Sequence, residues 1–300
     1  MTKGRFAPSP SGRMHLGNVY AALLSWLSAR SQEGDWFLRI EDIDPQRSRK
    51  EYADQIRDDL RWLGLEWDEE CTQSERFHLY EEHLNRLQSL GVTYPCYCTR
   101  ADILATQAPH ESDGRVVYKG TCRNLPPEKL REKEGEAAAI RLIVPDKDIT
   151  FCDGHYGEQV VNLARNCGDF ILRRKDGAWA YQLAVVVDDA LNGITEVVRG
   201  RDLLLSVPQQ TYLFSLFGYE QPSYTHIPLL VNAAGQRLSK RDKSLELSAL
   251  RSKYTAEEII GMLAYHAGIT DSPAPSKAHE LINKFSWDKV PKNDITIEMC

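Results

Sequence analysis

Two segments far apart in the chain carry residues suited to binding phosphate. The first, residues 5–18, joins an extended stretch to a predicted helix, whose unpaired N–H groups at its start favour anions. His15 can donate to a phosphate, Gly17 admits a ligand close to the backbone, and Asn18 offers an amide. The second, residues 237–241, reads Arg-Leu-Ser-Lys-Arg and suits charge on transferred phosphate oxygens. Alone, each is more often an exposed turn or a solvated basic run.

A third group of residues has the spacing of a metal site. Cys96 and Cys98 alternate along an extended segment and so project from one face, and Cys122 follows a Gly-Thr turn. Three cysteines with one further ligand suit tetrahedral Zn²⁺, and His110 is the fourth ligand that chemistry alone favours, because imidazole is a commoner zinc ligand than phenolate. The metal would be structural, since a small insert has little core of its own. The alternative is three buried or free thiols.

Alternating strands and helices must position these residues. The apolar pattern predicts strands at 4–8, 36–40, 170–173 and 196–199, with a last strand at 227–231. It predicts helices at 16–29, 52–63, 77–90, 181–191, 207–217, 257–267 and 278–285. Successive strand-helix units indicate an α/β fold with a parallel sheet.

Composition divides the chain into four predicted segments. Residues 1–93 form the first half of an α/β core. Proline, cysteine and charge then dominate, so residues 94–165 are predicted to be an inserted module that carries the zinc site. Residues 166–248 form the second half of the core, and residues 249–300 a short helical region.

The bulk composition excludes several classes of protein. The chain has 300 residues, 42% hydrophobic and 27% charged, as in soluble globular proteins. A net charge of −6 argues against a general nucleic-acid coat, although a local basic surface would suffice to bind RNA. Without an apolar run of about 20 residues or a signal peptide, we expect a cytoplasmic protein with no membrane partner, and we separately expect a monomer. Seven cysteines, an odd number, do not indicate a disulfide framework.

Together, the two phosphate-binding segments resemble the signatures of class I aminoacyl-tRNA synthetases. His15-Leu16-Gly17-Asn18 stands where that class has His-Ile-Gly-His, and Arg237-Leu238-Ser239-Lys240-Arg241 where it has Lys-Met-Ser-Lys-Ser. Asn18 replaces the second histidine and keeps a donor, and Leu238 keeps an apolar anchor. The resemblance implies a Rossmann-like nucleotide-binding core.

Further segments resemble glutamyl-tRNA synthetases, so that the likeness covers nearly all of residues 3–248. The segments that carry it are 6–12, 38–45 and 183–200. The resemblance implies a glutamate pocket lined by Arg5, Ser9, Glu41, Tyr181 and Arg199. The chemistry agrees, because guanidinium groups bind carboxylates in a forked geometry and a carboxylate can bind the substrate ammonium. The alternative is that the charged members form structural salt bridges.

The same resemblance implies that ATP activates glutamate as a glutamyl-adenylate, from which glutamate passes to an RNA. ATP, with Mg²⁺ on its phosphates, would be bound by His15, Gly17, Asn18, Arg237, Ser239 and Lys240. His15 and Lys240 would be the catalytic residues that steady the phosphates, and no protein nucleophile is required.

The cysteine spacing also resembles a known zinc site. Cys-x-Cys followed by Tyr-x-x-x-Cys is similar to the pattern of a short glutamyl-synthetase-like subfamily. The resemblance implies Cys96, Cys98, Tyr118 and Cys122 as ligands, with Tyr118 in place of His110.

The RNA acceptor of glutamate is predicted from the length of sequence that follows the second signature. Only about 60 residues follow Arg241, too few for the anticodon-binding region of a full-length bacterial glutamyl-tRNA synthetase. The short form resembles glutamyl-Q tRNA(Asp) synthetases, which implies transfer to the queuosine base in the tRNA(Asp) anticodon. The alternatives are a shortened enzyme that charges the 3′ end of tRNA(Glu), a non-catalytic RNA-binding paralogue and a small-molecule adenylate ligase. The shortened charging enzyme would share every motif above.

Overall fold

The structure, a computed structural model, describes residues 1–99, 101–102, 117–236, 238 and 245–297. Its strands are β1 Lys3–Phe6, β2 Asp35–Ile40, β3 Glu69–Thr72, β4 Thr93–Cys96, β5 Ala139–Leu142, β6 Asp148–Asp153, β7 Gly157–Asn162, β8 Ile171–Arg173, β9 Glu196–Gly200, β10 Ser223–Ile227, β11 Leu230–Val231 and β12 Ile295–Thr296. Its α-helices are α1 Leu16–Ser31, α2 Lys50–Trp62, α3 Phe77–Ser89, α4 Pro127–Glu132, α5 Leu163–Asn166, α6 Tyr181–Leu191, α7 Val207–Phe217, α8 Leu247–Leu250 and α9 Ala256–His266. Short 3₁₀ helices span Gln73–Arg76, Arg201–Ser206, Ala278–Lys284 and Trp287–Lys289.

The predicted parallel sheet is present and is built from both halves of the chain. Strands β1, β2 and β3 are parallel neighbours, and a second sheet has the order β7-β6-β10-β9. The two sheets meet at Lys3, whose carbonyl accepts a hydrogen bond from the Thr195 N–H (3.0 Å). The carboxyl ends of β1, β2, β9 and β10 therefore open on the same edge, where ligands bind in α/β folds.

Helix α1 holds the amino-terminal strands in place. Most of its residues are buried, and each fully buried leucine contributes about 1.5–3 kcal/mol to folding. Ser25 lies at the contact with the sheet, where its hydroxyl donates to the Arg5 carbonyl (3.0 Å) and accepts from Trp36 Nε1 (2.8 Å). The helix is thereby fixed against the strand that carries Arg5.

The predicted insert contributes to two separate sheets. Strand β5 pairs with both β4 and β8 in an antiparallel sheet, whereas β6 pairs with β10 next to the core. Asp169 stabilises the first sheet by accepting hydrogen bonds from the Tyr94 hydroxyl (2.7 Å) and the Val144 N–H (2.9 Å). The division into four segments remains a prediction, although β6 and β7 lie in the same sheet as strands of the second half.

Most predicted elements agree with the structure, and helices α6 and α7 have the predicted bounds. The predicted strand at 227–231 is confirmed only at Leu230–Val231, which form β11, because β10 ends at Ile227, next to Pro228, which has no N–H to donate to a strand. It was also not the last strand, since β11 pairs with β12. Strands β3, β6 and β7 were missed because they are short and largely exposed.

The carboxy-terminal region packs on α1. Leu281, in the 3₁₀ helix Ala278–Lys284, is fully buried in the same apolar cluster as Leu16 and Ile260. Gly261 allows the following loop to cross α9, since a Cβ there would lie 2.0 Å from the Ala274 carbonyl oxygen. Of the described helices, none combines the length and apolar character needed to cross a membrane.

Candidate active site

A cleft of about 430 Å³ lies at the carboxyl edge of the central strands. Its lining includes Arg5, Ser9, His15, Gly17, Asn18, Glu41, Tyr181, Arg199 and Leu238. All five residues predicted to bind glutamate and the three predicted to bind ATP in the first segment thus share one cavity. Their individual roles remain predictions.

Four buried charged residues, here called the floor, lie at the cleft: Arg5 and Glu41, which line it, and their partners Arg39 and Asp189. Arg39 is fully buried and donates from Nη1 to Asp189 Oδ1 (2.5 Å) and from Nη2 to Glu41 Oε1 (3.1 Å). Arg5 Nε lies 3.5 Å from the same Asp189 oxygen but is buried without a hydrogen-bond partner among the described residues. The alternative of structural salt bridges therefore applies in part, because Glu41 and Arg5 each have a protein partner of opposite charge.

Burial shifts the pKa values of these groups. It lowers the pKa of Arg5, which Asp189 only partly opposes, and it raises the pKa of Glu41 in spite of the Arg39 charge. Burial also acts to raise the pKa of Asp189, but Arg39 and Arg5 outweigh it and hold that pKa below its ordinary value. The floor therefore favours a further negative group near Arg5 and a positive group near Glu41.

Arg199 is positioned on the opposite side by three acceptors. Its Nε donates to His226 Nε2 (3.0 Å), Nη2 to the Leu203 carbonyl (3.3 Å) and Nη1 to the Tyr181 hydroxyl (3.5 Å). Tyr181 is the first residue of α6, and Arg199 lies near the end of β9. The guanidinium is 5% exposed, so a carboxylate that reached it would be largely shielded from water.

The His15 segment caps α1. The Gly17 N–H donates to His15 Nδ1 (3.1 Å) and the His15 N–H donates to Asn18 Oδ1 (3.1 Å), a reciprocal capping box. Since Nδ1 accepts, the proton of a neutral His15 lies on Nε2, where it can be donated to an anion. A Cβ at Gly17 would lie 3.0 Å from His15 Cε1, so glycine makes room for the ring as well as for a ligand.

Leu238 of the second phosphate-binding segment lines the same cleft as the first segment. Arg237, Ser239 and Lys240 lie outside the described residues, but Leu238 is buried in the core and donates its N–H to the Leu230 carbonyl (3.1 Å). Beyond the segment, Glu246 forms a bridge with His15. The predicted apolar anchor at Leu238 is thus confirmed.

The cysteine side chains converge as their spacing predicted. The sulfur atoms of Cys96, Cys98 and Cys122 lie within 4.8 Å of one another. The Tyr118 hydroxyl lies 3.4 Å from Cys96 Sγ and 3.6 Å from Cys98 Sγ, at the remaining corner of the cluster. His110 lies outside the described residues. Three thiols and a phenol oxygen at these distances fit a tetrahedral metal ion.

Comparison with known proteins identifies the family. The model of the class I tRNA synthetase (E and Q) catalytic domain matches residues 1–295. The glutamyl-Q tRNA(Asp) synthetase of Nitratidesulfovibrio vulgaris is 48% identical over 97% of this chain and 94% of that protein. Its namesake from Symbiobacterium thermophilum is 46% identical over 99% of this chain and 96% of that protein. The chain belongs to the glutamyl-Q tRNA(Asp) synthetases.

A solved structure agrees with the class I synthetase fold of the chain. A glutamate tRNA ligase from Elizabethkingia meningosepticum, in complex with its amino acid, superimposes with a TM-score of 0.84 at 28% identity. The match covers 99% of this chain and 67% of that one. The predictions of a class I synthetase core and of a ligase are confirmed.

Sequence reasoning missed three charged or polar residues of the site in this glutamyl-Q tRNA(Asp) synthetase, namely Arg39, Asp189 and His226. A signal existed for Arg39 and Asp189, because each is a charged residue within an otherwise apolar run. No comparable signal marked His226, whose role depends on the pairing of β9 with β10.

Proposed function

We propose that this protein activates glutamate with ATP and transfers it to the queuosine base in the anticodon of tRNA(Asp). It would act as a monomer in the cytoplasm. The observation that carries the proposal is one cleft in which buried arginines and Glu41 lie beside the capped start of α1. The names of the relatives support the choice of acceptor.

The charge of the cleft matches an acidic amino acid. Among the described residues that line the cleft, the guanidinium groups of Arg5, Arg13 and Arg199 outnumber the carboxylates of Glu41 and Asp202. Glutamate brings two carboxylates and one ammonium, which offsets this excess. Arg5 and Arg199 would bind carboxylate, Glu41 would bind the ammonium, and Tyr181 and Ser9 would line the remaining wall.

Activation would then proceed by positioning and electrostatics. The α-carboxylate of glutamate attacks the α-phosphorus of ATP, the bond to the bridging oxygen breaks, and pyrophosphate leaves with that electron pair. His15 Nε2, Asn18, Gly17 and the N–H groups that start α1 would bind phosphate oxygens. Arg237, Ser239 and Lys240 would approach from the second segment. Mg²⁺ on ATP would neutralise phosphate charge, and we assign it no protein ligand.

We further propose that Cys96, Cys98, Tyr118 and Cys122 hold a structural Zn²⁺. The arrangement of the three sulfur atoms and the phenol oxygen supports this ligand set. In addition, the Arg141 guanidinium lies 3.8 Å from the centroid of the Tyr118 ring, where a cation stabilises negative charge on the phenolate.

The acceptor can be tested with labelled glutamate, ATP, Mg²⁺ and two pools of total tRNA, one from cells that make queuosine and one from cells that do not. Label that enters only the queuosine-containing pool is the expected result. Equal labelling of both pools, on tRNA(Glu), would show a shortened charging enzyme instead. If neither pool were labelled and glutamate-dependent exchange of pyrophosphate into ATP were also absent, the chain would be a non-catalytic paralogue.

A further inference from the structure

Behind the cleft, three buried side chains from neighbouring strands form a hydrogen-bonded chain. Arg199 on β9 donates to His226 on β10, and His226 Nδ1 lies 2.5 Å from Asp153 Oδ2 at the end of β6. His226 and Asp153 are no more than 1% exposed, and only Arg199 lines the cleft. These three hydrogen-bonded side chains therefore connect the proposed glutamate site to a part of the sheet that glutamate does not touch.

The donor and the acceptor in each of these hydrogen bonds follow from the bond between Arg199 and His226. Arginine only donates, so His226 Nε2 must accept and carries no proton. The imidazole proton then lies on Nδ1 and is donated to Asp153. Asp153 is fixed in turn as an acceptor, because its Oδ1 accepts the N–H groups of His155 (3.0 Å) and Tyr156 (2.9 Å).

The charge states agree with this arrangement. Burial lowers the pKa of His226, so the ring is neutral and keeps the lone pair that Arg199 requires. Burial acts to raise the pKa of Asp153, but the hydrogen bonds from His226 and the backbone outweigh it and lower that pKa. A neutral histidine between an arginine and an ionised carboxylate thus satisfies all three groups.

The arrangement restricts the plane of the guanidinium. Arg199 uses three of its five N–H donors on His226, Leu203 and Tyr181. Its carbon Cζ lies 5.1 Å from the centroid of the Tyr224 ring, which supports one face. No described group accepts from the other two N–H donors, one on each terminal nitrogen, and these suit a carboxylate in the cleft.

We propose that Asp153 and His226 are positioning residues that orient Arg199 to bind the substrate carboxylate. The inference rests on the proposed function in taking glutamate as the ligand of Arg199. Its key element is the histidine tautomer, because the opposite tautomer would place an N–H group against the Nε–H group of Arg199. The guanidinium would then turn away from its present plane.

Glutamate and ATP affinities, measured by calorimetry without RNA, test this proposal in variants of both residues. Asp153→Asn should reverse the tautomer, because its amide can donate to Nδ1, and His226→Leu should remove the acceptor. We expect each to weaken glutamate binding about tenfold or more and to change ATP binding less than about twofold. His226→Gln, whose amide oxygen can accept from Arg199, should recover part of the affinity.

A matched control and a mutant cycle separate positioning from a general loss of structure. His83 is also buried and hydrogen-bonded, to Leu79 and Tyr219, but it does not line the cleft. His83→Leu should lower the melting temperature while leaving glutamate affinity unchanged. In Arg199→Lys, which lacks the Nε–H group, adding His226→Leu should weaken glutamate binding less than about twofold further.

Two results would overturn the inference. One is equal loss of glutamate and ATP affinity in the Asp153 and His226 variants, and the other is full additivity with Arg199→Lys. The proposed function fails separately, if the wild-type protein binds glutamate yet labels no queuosine-containing tRNA. Selective loss of glutamate affinity in the variants would then still support the positioning role.

Discussion

At the scale of single residues, the cleft contains buried arginine N–H donors for which the described residues supply no acceptor. Arg5 Nε has no hydrogen-bond partner among the described residues, and two donors of Arg199 point to no described acceptor. Burying an unsatisfied charged donor costs free energy, which a bound carboxylate would recover. These donors therefore favour binding of an anionic substrate.

Arg199→Ala should weaken glutamate binding by about 10–100-fold, because it removes a charge-assisted contact to carboxylate. ATP binding should change little, since the groups proposed for the phosphates lie on α1 and in the second phosphate-binding segment. Calorimetric titration with each ligand measures both effects. Arg173→Ala is the matched control, because Arg173 pairs with Glu81 (2.9 Å) outside the cleft. Unchanged glutamate affinity in Arg199→Ala would contradict the pocket assignment.

Glutamate affinity should also depend on the protonation of Glu41. Because burial raises the pKa of this carboxyl, its charge is lost at a higher pH than in an ordinary glutamate side chain. We expect affinity to fall as the pH decreases through this raised pKa, since a neutral carboxyl binds ammonium poorly. The same group affects the stability of the fold in the opposite direction. The raised pKa of Glu41 favours the folded state at low pH, and this stabilisation is lost as the pH rises through the raised pKa.

Titrations at a series of pH values from about 8 down to about 5 test this expectation. Glu41→Gln should bind glutamate weakly throughout and show a much flatter dependence on pH. An equally steep dependence in the variant would assign the effect to another group.

At the scale of elements, polar contacts and sulfur atoms stabilise the end of the inserted segment that carries the cysteines. The buried cluster around Cys96, Tyr118 and Cys122 contains few other side chains. Asp169 supplies further hydrogen bonds between β4 and the end of β5. With so few apolar side chains around the cysteines, we expect a bound ion to add to the stability of this end of the segment, in line with the proposed zinc site.

Tyr118→Phe should lower zinc affinity about tenfold or more, because it removes one of four ligand atoms. His110→Ala should leave zinc affinity unchanged. The measurements are zinc content per chain by elemental analysis and competition with a chelator. Cys152→Ser is the control, as Cys152 is exposed and lies outside the cluster. Zinc loss in His110→Ala with retention in Tyr118→Phe would make His110 the fourth ligand.

At the scale of the whole molecule, the carboxy-terminal segment returns to the strands that carry the cleft. Strand β12 pairs with β11, which lies directly before the second phosphate-binding segment. Asp294 precedes β12 and binds Arg201, close to Arg199, with Nε donating at 2.6 Å. It also accepts from the Leu229 N–H (2.9 Å). Through these contacts, the carboxy-terminal segment stabilises the part of the fold next to the cleft.

Asp294→Asn should lower the free energy of unfolding by about 1–2 kcal/mol at neutral pH, since it weakens a partly exposed ion pair. The hydrogen bonds from Arg201 lower the pKa of Asp294, so its contribution is present above the ordinary pKa and is lost as the pH falls through the lowered value. Denaturant unfolding at several pH values measures this. Asp271→Asn, at an exposed position, is the control and should have little effect.

The sequence by itself determined the features that depend on local pattern. The bounds of α6 and α7 follow from apolar periodicity, and the residues that cap α1 lie within four positions of one another. The convergence of Cys96, Cys98 and Cys122 also followed from spacing within one small segment. Such features need only neighbouring residues, which is why the motifs were sufficient to indicate the family.

Only the tertiary structure decided which distant charges meet. Arg39 and Asp189 are 150 positions apart, and Asp153 and His226 are 73 apart. Their contacts depend on strand order and register, since shifting a strand by one residue turns its side chains to the other face. No local pattern encodes that register. The buried network behind the cleft, and with it the orientation of Arg199, is therefore a property of the assembled sheet.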